Sequence, residues 1–502
     1  MNGVDVVIVG AGHNGLVAAA YLAKAGRKVL VLERNAAPGG QLAAGMLGAG
    51  FDAPALHPGG QLRPDIVRDL DLARHGLTPA SAADTPYISL LPDGGTLRLT
   101  ARADDAATIE AIRRLSSRDA ARWPEFVAFM NAAAGWIDAV YRTPMPRMER
   151  SAILANGLPL ASLLLSLRRL GRKDMFHVIR SLSMSAQEFT DDWFEAEPLK
   201  AAIGALAIHG MTLGSYSAGT GYTLMHHWLN RGGLAHGKAG GASITDALVA
   251  ALKAAGGEVR TSAPVARILV DKQQVTGVQL ASGEQILARQ VLSAADPRHT
   301  LLGLVGAPEL PPEFVWHTQS IRMRGSVAKV HLLTDGNHGL PAGTLVVAPT
   351  LKYLEQAYDA SKYGEISRAP CLEVTTSGTV VSIHFQFVSY RLKHGDWQSE
   401  RTTLESRAID TLAAYAPSLK GSIRAVRSIT PLDLERQWGL TEGDLNHGQL
   451  ILDQALFMRP MPGWSDHRTP VDGLFLCGSG VHGGGGVSGA AGRNAARVAL
   501  KK

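Results

Sequence analysis

Only 2 cysteines occur in the 502 residues, Cys371 and Cys477, too few and too isolated for a disulfide framework or a CxxC metal site. A reducing compartment follows, with no metal expected. No basic segment precedes the first apolar stretch, and Asp5 interrupts that stretch, which argues against a secretory leader. Cytoplasmic residence is the expectation. Aromatic residues are scarce at 6%, and the net charge of +6 is spread without any basic run interleaved with aromatics. Nucleic acid is therefore not an expected partner. The leucine-rich stretch Leu158 to Leu170 falls short of the about 20 apolar residues that a membrane span needs. Internal repeats and long linkers are missing as well. What the chain has is 46% hydrophobic residues, enough for two or three domains with large cores, and 55 glycines, densest near the two ends. Backbone that must approach a ligand closely is the natural use for such glycines.

The apolar run Val4 to Val9 reads as a buried parallel strand. Gly10, Gly12 and Gly15 follow as GxGxxG, then a helical stretch Asn14 to Ala25 closed by Gly26, then a second strand Lys28 to Leu32 ending in Glu33. Each part has a chemical reason. Gly10 permits a tight turn, Gly12 lets backbone touch a pyrophosphate, and Gly15 lets helix and strand pack closely. The helix start offers unpaired N–H groups and a positive dipole end to an anion. Glu33, 23 residues beyond Gly10 and near the usual spacing of about 20, can accept hydrogen bonds from ribose hydroxyls, and it would repel the extra phosphate of NADP. The unit predicts a bound dinucleotide without choosing between NAD and FAD.

Beyond Glu33 the chain reads RNAAPGGQ, whose Gly39-Gly40 pair offers a second approach to the same pyrophosphate. Near the other end, residues 472–494 read DGLFLCGSGVHGGGGVSGAAGRN: an apolar strand, a glycine-dense loop, and a helix from about Ser488 to Leu500. This repeats the logic of the first motif. With WFEAEPLK at 193–200 and TPLDLE at 430–435, these segments resemble the flavin-dependent amine oxidase and phytoene desaturase superfamily, and most closely its phytoene-dehydrogenase-like NAD(P)/FAD-dependent oxidoreductases. Many relatives carry Arg after the glycine pair, where this chain has Gln41. The resemblance implies non-covalent FAD, with contacts from His13 and Asn14 at the helix start, Arg34, Gln41, Gly478 and Ser479. Backbone N–H groups of Gly486, Val487 and Ser488 would meet the flavin's N1/C2 edge, where negative charge accumulates on reduction. Alternating strands over 257–297 would place the adenine near Val265, with Gln290 to Ala294 rejoining the cofactor domain.

The expected fold is therefore α/β: a Rossmann-like, glutathione-reductase-like FAD-binding domain, its βαβ unit carrying an inserted β-meander, plus a mixed-sheet, helix-capped substrate domain. Segments 1–75, 231–300 and 425–502 would build the first domain, and 76–230 with 301–424 the second. Residues 76–230 read as mainly helical, while Gly325 to Leu333 and Val380 to Val388 read as strands and Thr402 to Ala416 as a helix. The Leu158 to Leu170 stretch, with cations following it, is either a core-facing helix of the cap or an interfacial membrane contact through which a lipophilic substrate enters.

The resemblance implies transfer of hydride, or of two electrons and protons, between a carbon or nitrogen centre and flavin N5, with oxygen, quinone or nicotinamide as acceptor. Such a cofactor supplies the chemistry, so no catalytic triad is required. His57 and His482 are the candidate bases, on histidine's suitable pKa, and His226, His227 and Tyr222 are candidates to line a pocket. Formation or reduction of a C–C double bond in a lipophilic small molecule is the first expectation. Amine oxidation is the alternative, without special support from so few aromatics. A non-catalytic binding protein on the scaffold of the Rab GDP-dissociation inhibitors is the alternative of another class.

Overall fold

The opening run forms strand Val4–Val9, whose last four residues are buried, as a parallel strand covered on both faces requires. A computed structural model gives the structure and describes residues 3–51, 53–56, 61–77, 86–145, 157–231 and 241–501. Helix His13–Lys24 follows the glycine turn, and Gly26 stands beyond it in the left-handed region that ends many helices. The first sheet runs in the order Glu258–Arg260, Val29–Leu32, Val4–Val9, Gln285–Ser293, Gln274–Leu280, Val265–Asp271, with Leu474–Leu476 also on Gln285–Ser293. That last strand serves two layers. Its start pairs antiparallel with the meander, Leu287 opposite Gly277. Its end runs parallel to both Val4–Val9 and Leu474–Leu476, with Val291 opposite Val7 and Leu474. It begins before the expected Gln290, because the same strand is both the meander's third member and the cofactor sheet's own.

Helices His13–Lys24, Gly241–Ala254 and Ala490–Ala499 cover one face of this sheet, where Leu16, Val17, Leu248, Phe475 and Ala495 share a core. The second sheet runs Ile423–Ile429, Val327–Thr334, Val380–Gln386, Leu372–Ser377, Thr344–Val347, Tyr87–Leu90, Thr96–Leu99. It is mixed, with Thr344–Val347 parallel to Tyr87–Leu90 and every other pair antiparallel. One face packs on helix Arg401–Ala413 through Leu404, Ala408 and Leu412. Part of the other face meets a helical layer built around Trp123, Phe126, Phe189 and Trp228.

One boundary and one description of content differ from the expectation. Strand Ile423–Ile429 belongs to the second sheet, so the third cofactor segment starts after it and not at 425. Its IRAVRSI pattern is that of a half-exposed edge strand with weak alternation. Residues 76–230 also contribute strands Tyr87–Leu90 and Thr96–Leu99, besides their helices. The leucine-rich stretch forms helix Gly157–Arg168, which buries Leu167 but leaves Leu164 and Leu165 exposed. The next helix, Gly171–Ser183, exposes Phe176 and Ile179. Only one face of the pair packs on the cap. No helix among the described residues is long and apolar enough to cross a membrane.

Two buried histidines set an acid limit on this fold. The His331 Nε2 donates to the Ala55 carbonyl while its Nδ1 takes the Ser382 hydroxyl, and His467 Nδ1 donates to the Leu476 carbonyl. Burial holds them neutral, with pKa values down to about 4 and about 3. Below pH 6.5 the unfolded chain takes up protons that the folded one refuses, so their contribution is complete above that pH and drains away on acidification towards 4. Each is worth on the order of 3 kcal/mol over that window. Asp444, raised to about 6 by burial, works in the opposite sense between its ordinary carboxylate value and 6. The urea midpoint should therefore fall between pH 6.5 and 4, and a flat midpoint would contradict the assignment.

Candidate cofactor and active site

The N-terminal turn is held by its own backbone and one carboxylate. Glu33, 5% exposed, accepts from Ala11 N at 2.8 Å through Oε2 and from Asn35 N at 2.9 Å through Oε1. Each oxygen keeps a lone pair for a ribose hydroxyl. The glycine pair docks on the same turn: Gly39 N donates to Ala11 O at 2.9 Å, beside a bridge between Gly12 and Gly39. A Cβ on Gly15 would stand 2.2 Å from Gly10 O and 3.0 Å from Ala294 Cβ, so helix and strand meet only because that atom is missing. A Cβ on Gly12 would meet nothing within 4 Å; it would project into open space.

The C-terminal loop closes on this turn. Strand Leu474–Leu476 carries it there, and Cys477 N continues the pairing onto Ser293 O at 2.8 Å. Burial pushes the Cys477 thiol well above its ordinary range, which removes thiolate character. Asn14 Nδ2 donates to Ser479 Oγ at 3.2 Å, and Gly492 N to Asn14 Oδ1 at 3.4 Å. A Cβ on Gly492 would lie 2.1 Å from Asn14 O, so the first and last helices touch through backbone. Burial foremost, then His447, lowers the pKa of His13 to about 4, with the backbone of Gly486 acting in the opposite sense. The turn at 10–15 and the C-terminal segment at 479–492 are thus in direct contact. Arg459, 2% exposed, braces the loop from behind: its guanidinium donates to Ser479 O twice, at 2.9 and 3.1 Å, and to the carbonyls of Asn446, Gly448, Gln449 and Gln454.

Between these segments runs a cleft of about 290 Å³. Of the residues expected at a cofactor, it brings together Gly10, Gly12, His13, Asn14, Gly15, Glu33, Arg34, Gly40, Gln41, Val265, Gly478 and Ser479. Gly39 stands behind its partner, where its φ of +123° makes the turn. Gly486, Val487 and Ser488 do not line it: Gly486 packs on Asn230, Val487 sits in the core under the first helix, and Ser488 O accepts from Arg63 N. His57 lies outside the described residues. His482 is a correction to the expected base. Its Nδ1 faces Leu456 O at 3.0 Å and its Nε2 faces Val140 O and Thr143 O at 3.1 Å, so the ring is packed among backbone carbonyls at the end of helix Ser117–Arg142 and its N–H ties the loop to them. Burial lowers its pKa. His226 and Tyr222 join Tyr141, whose hydroxyl lies 2.7 Å from both the Tyr222 hydroxyl and His226 Nδ1.

Sequence reasoning did not find Pro264, His299, Trp438, Leu440 and His447, which complete the cleft wall. The one available signal was TPLDLE, which caps helix Pro431–Trp438 with a Thr430–Asp433 capping box and so delivers Trp438 to the wall. The cleft suits a dinucleotide on its own evidence. Its glycine side is open where a Cβ would intrude, a helix start faces it, and His13 Nε2 is buried with no partner among the described residues. When bound there, FAD supplies the two-electron chemistry. Gly12 and Gly40 would hold its pyrophosphate and Glu33 its ribose.

The comparisons agree with this geometry. The family model for flavin containing amine oxidoreductases matches residues 15–500. The chain is 33% identical to the rat pyridine nucleotide-disulfide oxidoreductase domain-containing protein 2, over 99% of this chain and 93% of the other. It is 23% identical to the lycopene-forming phytoene desaturase of Pantoea ananas, over 98% of both. Cyclohexylamine oxidase of Brevibacterium oxydans shares the fold, with a TM-score of 0.57, 18% identity and 99% of each chain covered. With the paired glycine turns, the dinucleotide cleft and a match along nearly the whole chain, this protein belongs to the flavin containing amine oxidoreductase family and is an FAD-dependent oxidoreductase.

Proposed function

We propose that the protein is a dehydrogenase or oxidase of a lipophilic small molecule, moving hydride between that substrate and non-covalently bound FAD and so forming or reducing a C–C double bond. The observation that carries the reading is the hydrogen bond of Asn14 to Ser479, which puts the N-terminal turn and the C-terminal loop on one cleft. The similarity to a phytoene desaturase supports the double-bond chemistry. The chain's own share of the work is to bind, orient and exclude water. His13, Gly40 and Gln41 line the cleft, and buried aromatic and aliphatic side chains of the helical layer keep water from the region beyond. Oxygen, quinone or nicotinamide would take the electrons onward. The exposed Leu164, Leu165, Phe176 and Ile179, near the exposed cations Arg168, Arg169, Arg172 and Lys173, support a peripheral membrane contact as the substrate's route.

Anaerobic mixing tests the reading. Apolar hydrocarbons, alcohols and acids should bleach the flavin band of the purified protein, and alkylamines should not. Bleaching by amines alone would overturn the reading in favour of C–N oxidation.

A further inference from the structure

Three imidazoles stand on the wall of the cofactor cleft, each from a separate stretch of chain: His13 at the start of the first helix, His299 beyond strand Gln285–Ser293, and His447 on the segment that leads to Arg459. His447 is held there against its backbone preference. Its φ of +58° lies in the left-handed region, uncommon for a residue other than glycine. Arg459 grips the chain on both sides of it through the carbonyls of Asn446 and Gly448. The His447 carbonyl in turn packs on Gly480, where a Cβ would stand 2.7 Å from it. The guanidinium that braces Ser479 thus also fixes His447 at the cleft.

His13 Nε2 and His447 Nδ1 are both buried without a partner among the described residues. Buried polar atoms are rarely left so, and each instance calls for a reason. The charge of the wall supplies one. A pyrophosphate diester brings two negative charges, and among the described residues the wall has one fixed cation, Arg34. Arg34 adjoins Glu33 at the ribose end and donates to Arg436 O at 3.0 Å. Gln41, where many relatives carry Arg, donates to Leu445 O at 2.7 Å. The helix start offers partial charge only. Beside the glycine turn, the side chains of the wall that can become cations are the imidazoles.

In the free protein the pair is neutral at neutral pH. Burial foremost, then His447, brings His13 to about 4. Burial also lowers His447; Asp296 favours its charged form, while Arg459 and His299 oppose it. Asp296 has both oxygens engaged, accepting from His299 N at 2.8 Å and from the Thr441 hydroxyl at 2.7 Å. An anion in the cleft stabilises an imidazolium and so raises both histidines. Because each charged ring repels the other, the pair accepts one proton and not two.

We propose that His13 and His447 form a proton-accepting clamp for the pyrophosphate of FAD: the cofactor binds together with one proton from solvent, shared by the two imidazoles. The proposal rests on FAD occupying this cleft and is independent of the substrate reading. Linkage fixes the sign. A ligand that makes the rings more basic is itself held more tightly where protons are available, so affinity rises as pH falls towards the free value of His13.

The test is calorimetric titration of the flavin-free protein with FAD near pH 6 in Mes and in Bis-Tris, whose ionisation enthalpies differ, with fluorescence titrations at higher and lower pH. Roughly half to one proton should be taken up per FAD, and binding should be at least about tenfold tighter at about pH 5.5 than at about pH 8. The double variant His13→Gln, His447→Asn should bind FAD with almost no proton uptake and less than about twofold dependence on pH, asparagine being a residue that accepts the left-handed backbone. Uptake that persists in the double variant, which would place the proton on His299 or Asp444, overturns the clamp. So does wild-type binding without uptake. If the double variant fails to fold, ADP-ribose and adenosine on the wild type decide: uptake with ADP-ribose alone supports the clamp, and equal uptake with adenosine overturns it. A protein that binds no FAD at any pH overturns the cofactor assignment as well.

Discussion

Alanine at Gly12 should abolish FAD binding while leaving the apoprotein's melting temperature unchanged, and alanine at Gly15 should lose both. The two residues sit three apart in one turn, yet their surroundings differ. Gly12 has β-region angles, φ −68° and ψ 166°, which alanine adopts freely, and its Cβ would have no protein atom within 4 Å. The new methyl would enter only the space a pyrophosphate needs, at a cost of more than roughly hundredfold in affinity, or about 2.7 kcal/mol. At Gly15 the methyl would stand 2.2 Å from Gly10 O, in backbone that cannot rotate away. Helix His13–Lys24 would have to lift from strand Val4–Val9, and overpacking of this kind costs about 1–3 kcal/mol or more. FAD titration by fluorescence, with thermal melts of the apoproteins, checks both. Equal melting of the two variants would show that the turn is not packed as described.

Arg459→Met should destabilise the protein by about 3–5 kcal/mol and release flavin, and Lys at that position should not rescue it. Arg459 is fully buried and donates to the carbonyls of Asn446, Gly448, Gln449, Gln454 and Ser479, so methionine would leave several acceptors without donors. Each buried unsatisfied group costs about 1–3 kcal/mol, partly relieved by relaxation. Lysine cannot replace it, because a single ammonium does not span acceptors that a planar fork reaches at once. The flavin effect follows from Ser479, which lines the cleft and is gripped by two of these bonds. Urea unfolding measures the first effect and the FAD content of the purified variant the second. Retention of full flavin with a small loss of stability would show that the loop holds without its brace.

Much of the cofactor cleft was legible because its chemistry is local in sequence. Gly10, Gly12, Gly15 and Glu33 each answer to a constraint within one strand–turn–helix unit, and Gly478 and Ser479 follow a strand that reads the same way. His482 was misjudged because sequence shows a titratable ring and hides its acceptors, here carbonyls about 340 residues earlier in the chain. His299 and His447 escaped for a related reason: each reaches the cleft through tertiary packing of a segment with no motif of its own. The second sheet also has a polar face, with a signal that periodicity alone supplies. Lys329 and His331 alternate within GSVAKVHLL, and Ser382, His384 and Gln386 do so within VVSIHFQF. Only the pairing register shows that the two sets meet. The boundary at 425 failed because an edge strand with half-exposed residues carries too weak a pattern to claim its sheet.

The most direct test is a crystal structure of the protein grown with FAD. The pyrophosphate should lie between Gly12 and Gly40, the adenosine ribose on Glu33 and the adenine beside Val265, with the ring system extending towards His13 and the loop at 483–488. FAD found at any other place on the chain, or a cleft closed to it by ordered side chains, would contradict the assignment of the two glycine turns to one cofactor.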